Sequence, residues 1–227
     1  LRRAYRAASF TRGATVGIVN TDLLGSEEEA ERAVRRVPPA KTPEAAIYRG
    51  WMLSAAAYER LHTALTARGT VLVTSPAAYR YCHHLPASYA AIAEHTPRTV
   101  WTIGTAKPSR SELSRLLAPF NDRPLVLKDY VKSEKHAWDE ACYIPRASDF
   151  DAVERVLDRF LELRGEALEG GLVFREFVEL RRSGRHPKSG MPLAREHRLV
   201  YWRGERLAGG HYWIESAPGD EPPHEPF

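Results

Sequence analysis

The chain has 227 residues, of which 43% are hydrophobic and 27% are charged. This length and composition suit one large or two small globular domains and exclude a disordered or fibrous protein. No apolar run approaches the roughly 20 residues of a transmembrane helix, and no signal peptide opens the chain, so we expect a cytoplasmic protein without membrane contact. Cys82 and Cys142 stand alone, which argues against disulfides and zinc.

The net charge is +4, with 33 basic and 29 acidic residues interspersed along the chain. A mild positive excess is compatible with anionic ligands such as nucleotides or nucleic acid. Because no long basic block occurs, the charge does not by itself favour a nucleic-acid-binding protein.

The first hundred residues alternate between helical and strand patterns. We predict helices at 1–10, 26–37, 55–68 and 77–94, the last broken at Pro86, and strands at 14–19, 47–53, 70–74 and 99–103. Ser26 and Glu29 are spaced as a capping box. Alternation of this kind is typical of an open α/β domain with a parallel sheet, in which ligands bind beyond the carboxyl ends of the strands.

The second half has a different pattern, which indicates an α+β arrangement. Ser109 and Glu112 form a second capping box, which begins a predicted helix to about residue 120. An amphipathic helix is predicted at 148–164, and strands are predicted at 125–127 and 172–178. A hairpin follows, with strands at 196–202 and 206–213, and then a Pro-rich tail at 217–227.

A cluster of lysines follows the apolar run at 125–127. Three of the six lysines in the chain, Lys128, Lys132 and Lys135, lie within eight residues. Flexible ammonium groups bind phosphate well, which suggests an anion-binding device. A solvated basic loop explains the cluster equally well when this stretch is taken alone.

The strand at 172–178 continues into a charged segment with binding potential. Its backbone can present donors and acceptors to an adenine edge, and Glu179 can accept from ribose hydroxyls. In the later hairpin, Arg198 can stabilise charge on a transferring phosphoryl group; the alternative is a sheet-face arginine paired with Glu196. No P-loop or Rossmann glycine motif occurs, which disfavours both of those folds.

Two features of the first half carry weaker signals. Arg49 lies in a predicted strand, where it contacts an anion or, more simply, decorates a sheet edge. His83 and His84 have no third metal ligand nearby, so we interpret them as surface or core histidines. A nucleophilic pairing of Cys82 with these histidines lacks an orienting pattern.

Taken in order, these segments resemble the ATP-grasp superfamily, in particular the small ATP-grasp domain proteins of bacteria and phages. The resemblance covers about residues 14–213. The segments that carry it are Tyr48–Leu53, Tyr79 with His84–Pro86, Thr96–Pro97 with Val100–Trp101, Leu127–Ser133, Phe174–Val178 and Glu196–Arg198.

The resemblance implies a fold and a set of site residues. The fold is an N-terminal α/β pre-ATP-grasp domain at 1–103 followed by an ATP-grasp domain at 104–227. The implied roles are phosphate contact and catalysis for Lys128, a phosphate-covering loop of Lys132, Ser133 and Lys135, adenine contact for Glu176, Phe177 and Val178, ribose contact for Glu179, terminal-phosphate contact and catalysis for Arg198, and substrate contact for Arg49 and Arg175.

The implied activity is that of an ATP-dependent carboxylate–amine ligase, which uses ATP and Mg²⁺ and forms an acyl phosphate. Its partners would be small-molecule or peptide carboxylates and amines, and a homodimer stays open. ATP-grasp enzymes hold magnesium with acidic residues on late strands, and nothing after Trp213 matches that pattern. We therefore leave the metal ligands unassigned and expect a C-terminal portion beyond the sequence given.

Two other functions stay open. One is a non-catalytic module for nucleic acid, suggested by the basic charge and by Tyr130 and Trp138 beside the lysines. The other is an ATP-dependent phosphotransferase that uses the same nucleotide site.

Overall fold

The computed structural model describes residues 15–185 and 192–212. This part of the chain has a mixed α/β fold, as the sequence predicts. Its α-helices are α1 (Glu27–Ala33), α2 (Ala55–Thr66), α3 (Pro76–His83), α4 (Leu85–Ile92), α5 (Arg110–Leu117), α6 (Trp138–Ala141) and α7 (Phe150–Arg164). Its strands are β1 (Glu44–Ala46), β2 (Thr70–Leu72), β3 (Thr99–Trp101), β4 (Leu125–Asp129), β5 (Tyr143–Ile144), β6 (Leu172–Glu176), β7 (Arg182–Arg185), β8 (Pro192–Ala194), β9 (His197–Trp202) and β10 (Glu205–His211).

The first part of the chain contains a small parallel sheet of β1 and β2. Helices α1 and α2 pack with it around one hydrophobic core, whose largest members are Leu24, Val34, Tyr58, Leu61 and Leu72. Parallel pairing requires a crossover between the strands, and α2 supplies it. This agrees with the predicted α/β pattern, although the sheet has only these two strands.

Two predicted strands in this region are wrong. Residues 47–53 form a loop that leaves Ile47 and Trp51 exposed, and the strand lies just before it, at β1. The Tyr48 hydroxyl donates to the carbonyl of Trp51 at 2.8 Å, which closes this segment into a turn. Residues 15–19 contribute only one antiparallel bridge, from Ile18 to Arg36. Apolar content alone does not select an extended backbone when no neighbouring strand is available.

The helix predicted at 77–94 is two helices, and they break at His84 rather than at Pro86. His84 has extended backbone angles, with φ −89° and ψ 111°. Pro86 lies in the first turn of α4, where a missing N–H breaks no helical hydrogen bond. The chain therefore has to leave the first helix before the proline.

The larger core lies under a four-stranded antiparallel sheet with the strand order β3-β6-β4-β5. Helices α5 and α7 cover one face of this sheet. Both begin at side-chain caps: Ser109 and Glu112 form the complete predicted capping box, and Asp149 accepts from the N–H of Ala152. The core between helices and sheet includes Leu113, Leu117, Leu125, Leu127, Val153, Leu157, Phe160 and Phe174.

Strand β3 comes from the predicted first domain, residues 1–103, yet it pairs with β6 from the predicted second domain. The four-stranded sheet therefore draws on both sides of the boundary. The division into two domains stays a proposal.

The last described elements are two small antiparallel pairs, β7 with β8 and β9 with β10. The predicted hairpin is confirmed at β9 and β10, and it turns at Arg203 and Gly204, both with positive φ. The predicted helix at 1–10 and the tail at 217–227 lie outside the described residues. Among the described helices, none has the length and apolar character that crossing a membrane requires.

Candidate functional site

The face of the four-stranded sheet that lies away from α5 and α7 carries the polar side chains of interest. We call it the second face. Strand alternation places Lys128 of β4 on it, because Leu127 and Asp129 on either side are buried. The register pairs Lys128 with Val173 and Val126 with Arg175, so Arg175 lies diagonally across from Lys128 on the same face.

Lys128 is a partly buried cation. Its Nζ donates to the carbonyl of Val131 at 3.2 Å. Burial lowers its pKa below the ordinary 10.5; the neighbouring Asp129 opposes that shift and Arg175 adds to it. Within residues 15–185 and 192–212, no carboxylate forms an ion pair with Lys128.

Arg175 is a second partly buried cation on this face. Its Nη2 donates to the hydroxyl of Thr96 at 2.6 Å, and burial lowers its pKa. It also has no ion-pair partner among the described side chains. Two desolvated cations on neighbouring strands are costly unless an anion compensates them. The second face is therefore suited to bind an anion.

The loop that follows Lys128 is held by a carboxylate that the sequence analysis missed. Asp129 is fully buried and accepts from the backbone N–H groups of Val131 and Lys132. Lys132 and Ser133 are half-buried in this loop, and Lys135 is exposed in the 3₁₀ turn after it. The position of Asp129, alternating with Leu125 and Leu127, was a signal that this carboxylate faces the core.

Aromatic side chains gather where β6 ends. The Phe177 ring makes edge contacts with Tyr143, at 5.2 Å between centroids, and with Trp138, at 5.9 Å. Trp138 and Tyr143 stack on each other at 5.5 Å. The N–H of Phe177 donates to the carbonyl of Pro124 at 2.8 Å, which continues the sheet one residue beyond the strand. Flat apolar surfaces of this kind suit a nucleobase.

The neighbours of Phe177 differ in their surroundings. Glu176 accepts from Arg123 at 2.5 Å on the side of the sheet that carries the core. Val178 and Glu179 are exposed, and Glu179 lies 3.7 Å from Arg182. Among the predicted adenine and ribose contacts, Phe177 is thus the one that joins the aromatic group.

Two predicted site residues lie elsewhere. Arg49 is exposed in the loop between β1 and α2. Arg198 is in β9, where its guanidinium lies 4.5 Å from the centre of the Tyr212 ring. Strands β9 and β10 pair only with each other in the described residues, so no shared strand links Arg198 to Lys128.

The junction of α3 and α4 lies against the lysine loop. His84 Nε2 lies 2.9 Å from Oε1 of Glu169, and the N–H of Leu85 donates to the carbonyl of Tyr130 at 3.0 Å. Burial lowers the pKa of His83; Glu169 opposes this, whereas His84, Lys132 and Lys128 add to it. The first half of the chain therefore contributes to the surroundings of the lysines, which the sequence analysis did not predict for these histidines.

No group of His, Cys, Asp or Glu side chains able to hold a metal ion is present in residues 15–185 and 192–212. The carboxylates nearest to the second face are already engaged, Asp129 with Arg164 and Glu176 with Arg123. The described residues therefore do not provide a Mg²⁺ site, and the late acidic residues Glu215, Asp220, Glu221 and Glu225 lie outside them.

Comparison with solved structures gives two similar folds at low identity. One is N5-carboxyaminoimidazole ribonucleotide synthetase from Thermus thermophilus, with 16% identity, a TM-score of 0.41 and coverage of 81% of this chain and 43% of that one. Another is a RimK domain protein ATP-grasp from Sphaerobacter thermophilus, with 21% identity, a TM-score of 0.42 and coverage of 73% and 62%. The chain thus spans less than two thirds of either structure.

No curated protein matches the chain. The family comparison matches residues 118–227 to the model described as ATP-grasp domain, R2K clade family 3. This segment contains β4, β6 and the lysine loop, and it confirms the resemblance that the motifs indicate. The chain therefore belongs to the ATP-grasp superfamily through its residues 118–227, an ATP-grasp domain of R2K clade family 3.

Proposed function

We propose that the protein is an ATP-dependent ligase that joins a carboxylate to an amine through an acyl phosphate. The observation that carries the proposal is the pair of uncompensated cations, Lys128 and Arg175, on the second face of the sheet in a chain with an ATP-grasp domain. A nucleotide triphosphate supplies the anion that these cations lack.

The proposed roles follow the order of the residues along the sheet. Lys128 holds the phosphates, and Lys132, Ser133 and Lys135 cover them from the loop. The backbone of 176–178 contacts adenine beside the ring of Phe177, and Glu179 contacts the ribose. Arg175 has a hydroxyl partner from the first half of the chain, which supports a contact with the substrate carboxylate or its phosphorylated form.

In the first proposed step, a carboxylate oxygen attacks the γ-phosphorus of ATP, and ADP leaves. In the second step, an amine nitrogen attacks the acyl carbon, inorganic phosphate leaves, and the nitrogen loses a proton. Positioning and charge neutralisation by Lys128, Lys132 and Arg198 supply the catalysis, with Mg²⁺ as a further positive charge at the phosphates. Arg198 would have to reach the site from its own hairpin.

No protein nucleophile is required by this chemistry. The buried Cys142 agrees with that, because burial raises the pKa of its thiol to about 12 and keeps it protonated at neutral pH. Its Sγ is turned to the carbonyl of Leu127 at 3.6 Å. Cys142 therefore has a packing role under β4.

We further propose that residues 1–103 form a separate domain that helps to shape the acceptor site, with Arg49 on that side. Thr96 supports this division of labour, since it comes from the first half and contacts Arg175 of β6. A small molecule or a peptide with a carboxylate fits a site whose cations are desolvated.

Calorimetric titration with AMP-PNP and Mg²⁺ tests the nucleotide site. Lys128→Ala is expected to weaken binding by at least roughly tenfold, the size of one charge-assisted hydrogen bond. Lys107→Ala is the matched control, because Lys107 is an exposed lysine paired with Asp158 away from the second face. Absence of binding to the unaltered protein, or equal binding by both variants, would contradict the proposal.

The reaction class is tested by product analysis with candidate carboxylates and amines. A ligase releases ADP and phosphate together with an amide. A phosphotransferase, the alternative with the same nucleotide site, releases ADP and a phosphorylated acceptor without free phosphate.

A further inference from the structure

Asp129 is the most completely enclosed carboxylate near the proposed site, with a relative exposure of 0%. Its Oδ1 accepts from the N–H groups of Val131, at 2.7 Å, and Lys132. Its Oδ2 accepts from Arg164 through Nε at 3.1 Å and Nη2 at 2.8 Å, and from the N–H of Glu169 at 3.3 Å. Five donors therefore converge on one side chain that points away from the second face.

These bonds set the geometry of the loop that joins the two lysines. The N–H of Asp129 donates to the carbonyl of Lys132 at 2.8 Å, so the loop is closed by backbone and side chain together. Val131 is held through its N–H by Asp129, and its carbonyl accepts from Nζ of Lys128 at 3.2 Å. The carboxylate on one face of β4 is thus connected through Val131 to the ammonium on the other face.

The side of Asp129 that faces the core is braced by α7. Arg164, in the last turn of that helix, also lies 3.2 Å from the carboxylate of Glu134 and donates to the carbonyl of Ala167. A forked guanidinium fixes the orientation of the carboxylate to which it binds. Asp129 is therefore held rigidly enough to define the loop.

We propose that Asp129 is a positioning residue that holds Lys128 and Lys132 in one arrangement for the phosphates of a nucleotide. The inference rests on the proposed function, but it assigns the order of the lysine loop to a carboxylate that does not touch the ligand. A loop that is ordered before binding does not lose that conformational freedom when the anion binds.

The test compares two ligands in Asp129→Asn, which keeps the shape of the side chain and removes its charge. Binding of AMP-PNP is expected to weaken roughly tenfold, whereas binding of adenosine, which has no phosphate, stays within about twofold. General damage to the domain would weaken both ligands alike. Asp158→Asn is the control, since Asp158 is an exposed aspartate on α7 paired with Lys107.

A double-mutant cycle tests whether Asp129 acts through the lysines. In a Lys128→Ala background, Asp129→Asn is expected to cost AMP-PNP binding less than roughly threefold, because part of what it positions is gone. An equal loss in both backgrounds would overturn the inference. If Asp129→Asn does not fold, Arg164→Lys replaces it, and the expected result is a smaller loss with the same preference for the phosphorylated ligand.

Inorganic tripolyphosphate separates this inference from the proposed function. If the unaltered protein binds tripolyphosphate in a manner that depends on Asp129 but does not bind AMP-PNP, the positioning role stands and the nucleotide site is wrong. If it binds neither, both are wrong.

Discussion

The ammonium of Lys128 titrates in an unusual range, and its proposed role makes that visible. Burial lowers its pKa below 10.5, so Lys128 loses its proton at a lower pH than an exposed lysine does. Anion binding needs the charged form. We therefore expect the affinity for AMP-PNP to fall as the pH rises toward 10.5, measured by titration from neutral to alkaline pH.

Lys128→Arg is the control for this pH dependence, because a guanidinium stays charged throughout the range. We expect a flatter profile in that variant, whatever its absolute affinity. An identical profile in both proteins would mean that another group causes the fall. The same shift acts on stability: between the lowered pKa and 10.5 the unfolded chain binds more protons, so the free energy of unfolding rises with pH there.

Helix α5 shows how a local sequence signal supports the sheet. Its capping box is complete, with Ser109 Oγ accepting from the N–H of Glu112 at 3.3 Å and Glu112 accepting from the N–H of Ser109 at 2.7 Å. The helix places Leu113 and Leu117 in the core under the sheet. Fraying at Ser109 would therefore loosen core contacts as well as the first turn.

We predict that Ser109→Ala lowers the free energy of unfolding by about 1 kcal/mol, measured by equilibrium urea denaturation. Ser114→Ala is the matched control, because Ser114 is an exposed residue in the middle of the same helix. Alanine is favourable there, so the control should lose nothing. Equal losses in the two variants would show that the cap does not contribute.

At the scale of the whole molecule, Glu169 connects the first half of the chain to the sheet. Its carboxylate lies 2.9 Å from His84 and accepts from the N–H of Ala55, at the start of α2, at 3.4 Å. Its own N–H donates to Asp129. The helices of the first half are therefore joined to the loop that holds the lysines.

We expect Glu169→Ala to lower the free energy of unfolding by about 1–3 kcal/mol, since two partly buried partners lose their hydrogen bonds. Glu166→Ala serves as the control, because Glu166 is exposed in the neighbouring 3₁₀ turn. Denaturant titration of both variants measures the difference. No loss in Glu169→Ala beyond that of the control would show that this connection does not stabilise the molecule.

The sequence by itself determined the features that depend on neighbours along the chain. Caps at Ser26 and Ser109, the amphipathic helix α7 and the hairpin of β9 and β10 all follow from local spacing. The lysine cluster and its order relative to the 174–178 segment were also enough to indicate the ATP-grasp superfamily, which the family comparison confirmed.

Only the tertiary structure decided which residues meet across the chain. The pairing of β3 with β6, the contact of Thr96 with Arg175 and the five donors around Asp129 join residues 35 or more positions apart, or bring both sides of a strand into play. Strand pairing and burial of a charge are settled by the partners that packing supplies, and no local pattern encodes them. For that reason the sequence predicted Lys128 but not the carboxylate beside it.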